Sequence, residues 1–219
     1  MIVDPAKASG KDLYFLMISA IVPRPIAWVS TQDKSGRTNL APFSYFQGVT
    51  SKPPLLSICI GHRRWQGEMV KKDTLRNIEE TGEFVVNVAT EALARAVNQS
   101  SAEYPPEESE IEAIGLTSLP SDLVKPPRIK ESPIHFECKL DRVIMLGNPP
   151  LTGMVIGEVV RFHIDDSVWS AEEAMVDAAK LKPLSRLGGE WWGSTRDLFK
   201  LPRPDWAAKG VQAGVKAKG

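Results

Sequence analysis

An antiparallel β-barrel with peripheral helices is the fold class this 219-residue sequence predicts, and three features predict it. The first is a hairpin pattern, with strand-forming Ile26, Ala27, Trp28 and Val29, a turn at Asp33-Lys34-Ser35-Gly36, and extended chain again from Thr38. The second is the apolar run Leu55-Leu56-Ser57-Ile58-Cys59-Ile60, too short for a helix and ended by Gly61. The third is a pair of long segments, 134–141 and 154–164, with apolar residues at every second position, broken once at Glu158, and Asn148-Pro149-Pro150 turning the chain between them.

Taken in order, residues 11–19 bring Leu13, Leu16 and Met17 to helical spacing and suit a short amphipathic helix over one end of a barrel. The hexapeptide 39–44, Asn-Leu-Ala-Pro-Phe-Ser, is too polar and proline-interrupted for a central strand and reads as a binding loop after the hairpin. Residues 45–50 are extended, and the continuous apolarity of 55–60 predicts a strand buried on both faces. Asp73 as N-cap, Leu75 and Ile78 on one face and Gly82 as stop define a helix, and residues 84–88 define a strand. Residues 91–101 form a second main helix by the spacing of Leu93, Ala94 and Val97. Residues 101–130, rich in Pro, Glu and Ser, make a surface excursion with at most a helical turn near Ile111.

In the first long strand Ile134, Phe136, Cys138 and Leu140 face inward and His135, Glu137, Lys139 and Asp141 outward. In the second, Met154, Ile156, Val160, Phe162 and Ile164 form the apolar row, and Gly153 and Gly157 permit the bends a barrel needs. The tail 182–206 is irregular and residues 211–219 are frayed. One domain, 1–219, accommodates all of this.

Lys plus Arg and Asp plus Glu both number 27, so no overall field favours nucleic acid or an anionic membrane, and a charged ligand must be caught locally. Cys59 and Cys138 lie in apolar stretches, which suits reduced, buried thiols of a cytoplasmic protein. No stretch approaches the ~18 to 20 apolar residues of a membrane span, and no signal peptide is evident. His62, His135 and His163 lack metal-ligand spacing, so no metal site is expected.

Three stretches carry binding chemistry. Lys72, Asp73 and Thr74 at a helix start offer free N–H groups, a cation and a hydroxyl to a phosphate; the alternative is a helix cap with its lysines in water. Arg63 and Arg64 are candidates to supplement that anion site. Asn39, Ala41, Pro42, Phe43 and Ser44, with Ser30 and Thr31, suit the rim of a flat, acceptor-rich ring; Pro42 cannot donate, so Ala41, Phe43 and Ser44 must, unless Asn39 only makes an Asx turn. Arg186, Gly188 and Gly189 allow close backbone approach, and Trp191 or Trp192 can cover a flat ligand. These glycines do not form GxGxxG, so a nicotinamide has no Rossmann site here.

The order of these motifs, from Pro23-Arg24-Pro25-Ile26-Ala27-Trp28-Val29-Ser30-Thr31 through Asn39–Ser44, Lys72-Asp73-Thr74, Thr81-Gly82-Glu83-Phe84-Val85-Val86-Asn87 and Arg186-Leu187-Gly188-Gly189, resembles the flavin reductase-like, FMN-binding split-barrel family that includes flavoredoxin-type proteins. The likeness spans about residues 20–193 and implies an FMN-binding split β-barrel. It implies an oxidoreductase in which flavin N5 takes hydride from NADH or NADPH as a transient reductant and electrons go to free flavin or another acceptor; no protein acid or base is required. It also implies a homodimer with FMN near the subunit interface. Family members generally carry a tyrosine shortly after the two glycines, where this chain has Trp191 and Trp192. An FMN-holding electron carrier without nicotinamide turnover shares every one of these motifs.

Overall fold

The structure is a computed structural model that describes residues 1–105 and 107–204; the expected fraying of 211–219 lies outside them. The main sheet has seven strands: β1 (Ala27–Gln32), β2 (Thr38–Phe43), β3 (Phe46–Ser51), β4 (Pro54–Gly61), β5 (Glu83–Val88), β6 (Ile134–Leu146) and β7 (Thr152–Ile164). Their order is β2-β1-β5-β6-β7-β4-β3, with every neighbouring pair antiparallel. The two edge strands, β2 and β3, follow one another in sequence across Ser44-Tyr45, yet no ladder joins them among the described residues. The sheet therefore curls without closing and is split at one seam.

Helix α2 (Asp73–Thr81) fills the interior, with Leu75 and Ile78 packed among Ala27, Val29, Ile58, Phe84 and Val155. The hairpin, its turn and the helix stop at Gly82, whose φ is +72°, stand where the sequence placed them. The cap differs. Lys72 is the N-cap and makes no side-chain cap bond, while Asp73 is the first helical residue, its carboxylate held by Arg63 (2.9 Å) and Arg76 (2.5 Å).

Burial on both faces belongs to β1, not to the 55–60 run. Ala27 and Val29 enter the barrel core, whereas Trp28 joins Ile26, Leu40, Val97, Ile111 and Ile129 in a second cluster outside it. In β4 only Leu56, Ile58 and Ile60 are buried; Leu55, Ser57 and Cys59 are half-buried. The excursion 101–130 is what covers β1, delivering Ile111 from helix α4 (Glu110–Ile114) and Ile129, so it is core structure as well as surface. The expected second main helix is shorter than predicted, a 3-10 turn at Glu91–Leu93 followed by α3 (Ala94–Gln99). Trp28 Nε1 donates to Ser100 Oγ at 2.8 Å just beyond it.

The long hairpin β6–β7 forms, but with its faces reassigned. In β7 the buried residues are Gly153, Val155, Gly157 and Val159, and the predicted apolar row turns outward, leaving Phe162 and Ile164 exposed. An alanine Cβ at Gly157 would stand 2.3 Å from Phe84 Cζ, and one at Gly153 2.9 Å from the Leu75 methyls. These glycines are slots for core side chains; the two register irregularities of the pair leave Val160 of β7 without a partner opposite Glu137-Cys138, and Asp141 of β6 without one opposite Ile156-Gly157. His135 and Glu137, expected to face outward, are buried as well, because residues 120–129 lie over that face.

The N-terminal helix, α1 (Gly10–Ala20), buries only Ile18, leaving Tyr14, Phe15, Leu16 and Met17 exposed. The tail is more regular than expected. Leu184–Arg186 pairs with Arg24–Pro25 on one side and Trp192–Ser194 on the other, bringing the Arg186 motif beside the seam. Cys59 is half-buried, Cys138 is fully buried with its thiol pKa pushed well up by desolvation, and both are free. Among the described residues no helix is long and apolar enough to cross a membrane.

Candidate functional site

Two cavities at the seam share Pro42 and Ser101 as lining residues and together make one groove. The polar lobe, about 80 Å³, lies at the start of α2 between Asn39, Arg63, Lys72, Thr74, Ser100 and Glu110. The less polar lobe, about 140 Å³, is bounded by Ile26, Phe43, Ser44, Asn98, Arg186 and Trp192.

In the polar lobe the first amides of α2 have no intrahelical acceptor, and the helix dipole favours an anion there. Thr74 is 1% exposed, and its Oγ1 accepts from Asn39 Nδ2 at 2.9 Å, which leaves the hydroxyl proton available. Burial pushes the Lys72 pKa down, and its Nζ lies 5.7 Å from the centre of the Phe43 ring. Arg63, expected as a supplement to the anion site, is a structural member of this lobe: its guanidinium bonds Asp73 and packs 4.6 Å from the Trp65 ring, while its buried Nε has no partner among the described residues. Lys71 turns away to Glu79, and Arg64 bonds the Gly67 carbonyl in its own turn.

Glu110 was not anticipated. Its carboxylate accepts the Leu40 amide at 2.8 Å, and burial raises its pKa. That bond also shows how β2 is oriented. Leu40 N–H points away from β1, so by the alternation of an antiparallel ladder Ala41 and Phe43 turn their N–H groups toward β1. The outward position between them is Pro42, which has no N–H. The expected donors Ala41 and Phe43 are therefore engaged in the sheet, and residues 38–43 are an edge strand instead of a loop; Ser44, beyond the strand end, stands in the groove wall with its Oγ accepting from Arg24 Nε at 3.3 Å.

Ser30 and Thr31 are fully buried and line neither lobe. Ser30 Oγ bonds the Pro127 carbonyl, and Thr31 Oγ1 accepts from Asn77 Nδ2 at 3.0 Å. Gly188 packs against α1, where a Cβ would come 3.0 Å from Ser19 Cβ, and Gly189 at φ +58° supplies the carbonyl that receives Arg186 Nη2 at 2.7 Å. Of the two tryptophans, Trp192 lines the groove with Arg186 stacked 4.3 Å from its ring centre, while Trp191 is 75% exposed. Asn98 in the ring lobe and Ser100 to Glu103 in the polar lobe are further wall residues that carried no sequence signal, because their place follows from α3 ending against Trp28.

Away from the groove, Asp122, Glu137 and His163 bring ligand-type atoms within 4.8 Å of one another. Glu137 accepts the amides of Asp122 (2.8 Å) and Leu123 (2.6 Å) and bonds His163 Nε2 (2.6 Å). Desolvation alone would raise its pKa, but these bonds lower it, and the cluster pins the excursion to β6.

Chemically, the groove offers an anion the start of α2 and offers a less polar ligand a wall that includes Phe43 and Trp192. The family described as flavin reductase like domain matches residues 18–180. Among solved structures, the chain is similar to nitrilotriacetate monooxygenase component B from Bacillus cereus, 38% identical with TM-score 0.86 over 92% of this chain and 98% of that one. It is similar to the 2-nitrobenzoate 2-nitroreductase NbaA of Pseudomonas fluorescens, 31% identical with TM-score 0.85 over 98% and 100%. A protein with a split barrel domain from Shewanella frigidimarina is 26% identical with TM-score 0.79 over 93% and 100%.

Proposed function

We propose, for a chain that belongs to the flavin reductase-like domain family and is a flavin-related oxidoreductase of split-barrel fold, that its flavin is FMN and that NADH or NADPH reduces it. The observation that carries this reading is the two-lobed groove, polar at the start of α2 and flanked by Phe43 and Trp192 at the other end. The donor set fits FMN: Lys72, Thr74, the α2 amides and the Arg63 Nε, without a partner among the described residues, suit a monoester phosphate, and the second lobe suits an isoalloxazine. Bound FMN supplies hydride acceptance and electron release. The chain's own residues orient the ring and seat the phosphate; Ser44 and Asn98 are the uncharged polar side chains of the ring lobe apart from Ser101 at the junction. No side chain has to take or give a proton.

Electrons then pass to free flavin or another acceptor. The similar proteins differ on that point, one being a monooxygenase component and one a nitroreductase, and both kinds of acceptor suit an open groove. We also propose a homodimer. What supports it is the number of large apolar side chains left exposed, Phe162 and Ile164 of β7, Ile144, Met145 and Leu146 of β6, and Tyr14, Phe15, Leu16 and Met17 of α1. A cytoplasmic setting accords with the two free thiols. FMN titration of the purified protein, with FAD and riboflavin alongside, tests the cofactor. Tight binding of FMN with riboflavin much weaker supports the phosphate lobe, and equal affinities refute it.

A further inference from the structure

The two lobes differ in their balance of charge. Arg63 and Lys72 share the polar lobe with Asp73, Glu103 and Glu110, whereas among the described residues the ring lobe is lined by Arg186 and by no carboxylate. A second guanidinium stands directly behind it. Arg24 is 5% exposed; its Nε donates to Ser44 Oγ at 3.3 Å, its Nη1 to the carbonyls of Ile21 (2.8 Å) and Ile18, and its Nη2 to Leu187 O at 2.9 Å. Every acceptor is neutral. Neither Arg24 nor Arg186 forms an ion pair among the described residues, although Glu190 lies close enough to act on Arg186 electrostatically. Burial first, and then Arg24 itself, lowers the Arg186 pKa, so the two cations feel each other. A buried charge with hydrogen bonds but no counter-ion is held at a cost that an arriving anion would relieve.

We propose that Arg24 and Arg186 form a cationic seat whose counter-ion is the reduced, anionic flavin, so that this chain binds reduced FMN more tightly than oxidised FMN. The proposal rests on the flavin reading of the groove. In the reduction, the C4–H bond of a dihydronicotinamide breaks and an N5–H bond forms on the flavin. Two electrons and one proton move, and the nicotinamide leaves as its oxidised cation. The ring is left with one negative charge at N1 until solvent supplies a proton. Arg186, in the lobe wall, meets that charge directly, and Arg24 acts at one remove through the Ser44 hydroxyl as a positioning residue.

Spectroelectrochemical titration of the FMN-loaded protein, beside free FMN, tests this together with fluorescence measurement of oxidised-FMN affinity. The wild type is expected to hold reduced FMN at least tenfold tighter, which for a two-electron couple places the bound midpoint about 30 mV above that of free FMN. Arg186→Gln is expected to abolish most of that ratio, and Arg186→Lys, which keeps the charge but not the plane stacked on Trp192, to restore part of it. Arg24→Lys should keep the wild-type midpoint where Arg24→Met lowers it; if the latter does not fold, the Arg186 pair still decides. A bound midpoint at or below that of free FMN overturns the proposal, as does an Arg186→Gln protein with the wild-type ratio. A wild type that binds no FMN in either state refutes the flavin reading itself.

Discussion

Substituting the two glycines of β7 tests the packing that shapes the barrel. At Gly157 an alanine Cβ would stand 2.3 Å from Phe84 Cζ and 2.8 Å from Cε1, and Phe84 is fully buried in the core. The ring cannot retreat without displacing its neighbours, so overpacking costs roughly 1 to 3 kcal/mol. Against this, alanine narrows the unfolded ensemble by about 0.4 to 1 kcal/mol. The net expectation is about 1 to 2 kcal/mol of destabilisation, or roughly 2 to 8 °C in Tm for a domain of this size. Gly153→Ala meets the ends of the Leu75 side chain at 2.9 Å and should cost less, because a leucine methyl pair turns aside more readily than a ring. Gly48→Ala meets nothing within 4 Å and is the control. Urea unfolding followed by circular dichroism should order the loss of stability as Gly157, then Gly153, then Gly48. Gly157→Ala should also be partly rescued by Phe84→Leu, a coupling a double-mutant cycle reads directly. A Gly157→Ala protein as stable as the Gly48→Ala control would refute the slot reading and return these glycines to the role of bends.

Other consequences concern the groove and the buried histidine. Lys72→Ala with Thr74→Ala should weaken FMN binding on the order of tenfold or more, leave riboflavin binding unchanged and cost about 1 to 3 kcal/mol of stability through the unpaired Asn39 amide without unfolding the protein, as titration and denaturation would record. Glu110→Gln keeps an acceptor for the Leu40 amide but removes a negative charge beside the phosphate lobe, so FMN affinity at pH 8 should rise by roughly two- to fivefold and depend less on pH. His135 bonds the Ile129 carbonyl through Nε2 at 2.9 Å, and its buried Nδ1 has no partner among the described residues. Burial holds its pKa below the usual 6.5, so the unfolded chain takes up its proton first. Stability from this site is therefore full above pH 6.5 and lost as the pH falls through the folded-state value. Urea midpoints at pH 7.5 and 5.5 should diverge less in His135→Gln than in the wild type.

Much of the fold was legible because local signals and tertiary structure agree. The 27–43 hairpin, α2 with its Gly82 stop and the β6–β7 pair all follow from turn chemistry and apolar spacing. Which face of β7 turns inward was not legible. Its alternation pairs large apolar residues on one face with Gly153, Val155, Gly157 and Val159 on the other, and the small residues win because Phe84 and Leu75 fill the space from across the core. His135 and Glu137 misled for a related reason, since a later excursion covers a face that looked polar. At the groove, Lys72, Thr74, Arg186 and Trp192 were readable as helix-start and ring-stacking chemistry. Asn98, Ser100, Ser101 and Glu110 were not, because the bond from Trp28 to Ser100 and the one from Leu40 to Glu110 span about seventy residues of sequence and have no periodic trace. The backbone donors expected of Ala41 and Phe43 could be assigned only once the pairing of β2 with β1 was known.

Anaerobic stopped-flow absorbance of FMN-reconstituted protein mixed with NADH and, separately, NADPH addresses the central claim most directly. Rapid bleaching of the flavin band by at least one of the two nucleotides is the result expected of a nicotinamide-driven oxidoreductase. Stoichiometric FMN that neither nucleotide bleaches would contradict it and make the protein a flavin carrier reduced by another protein.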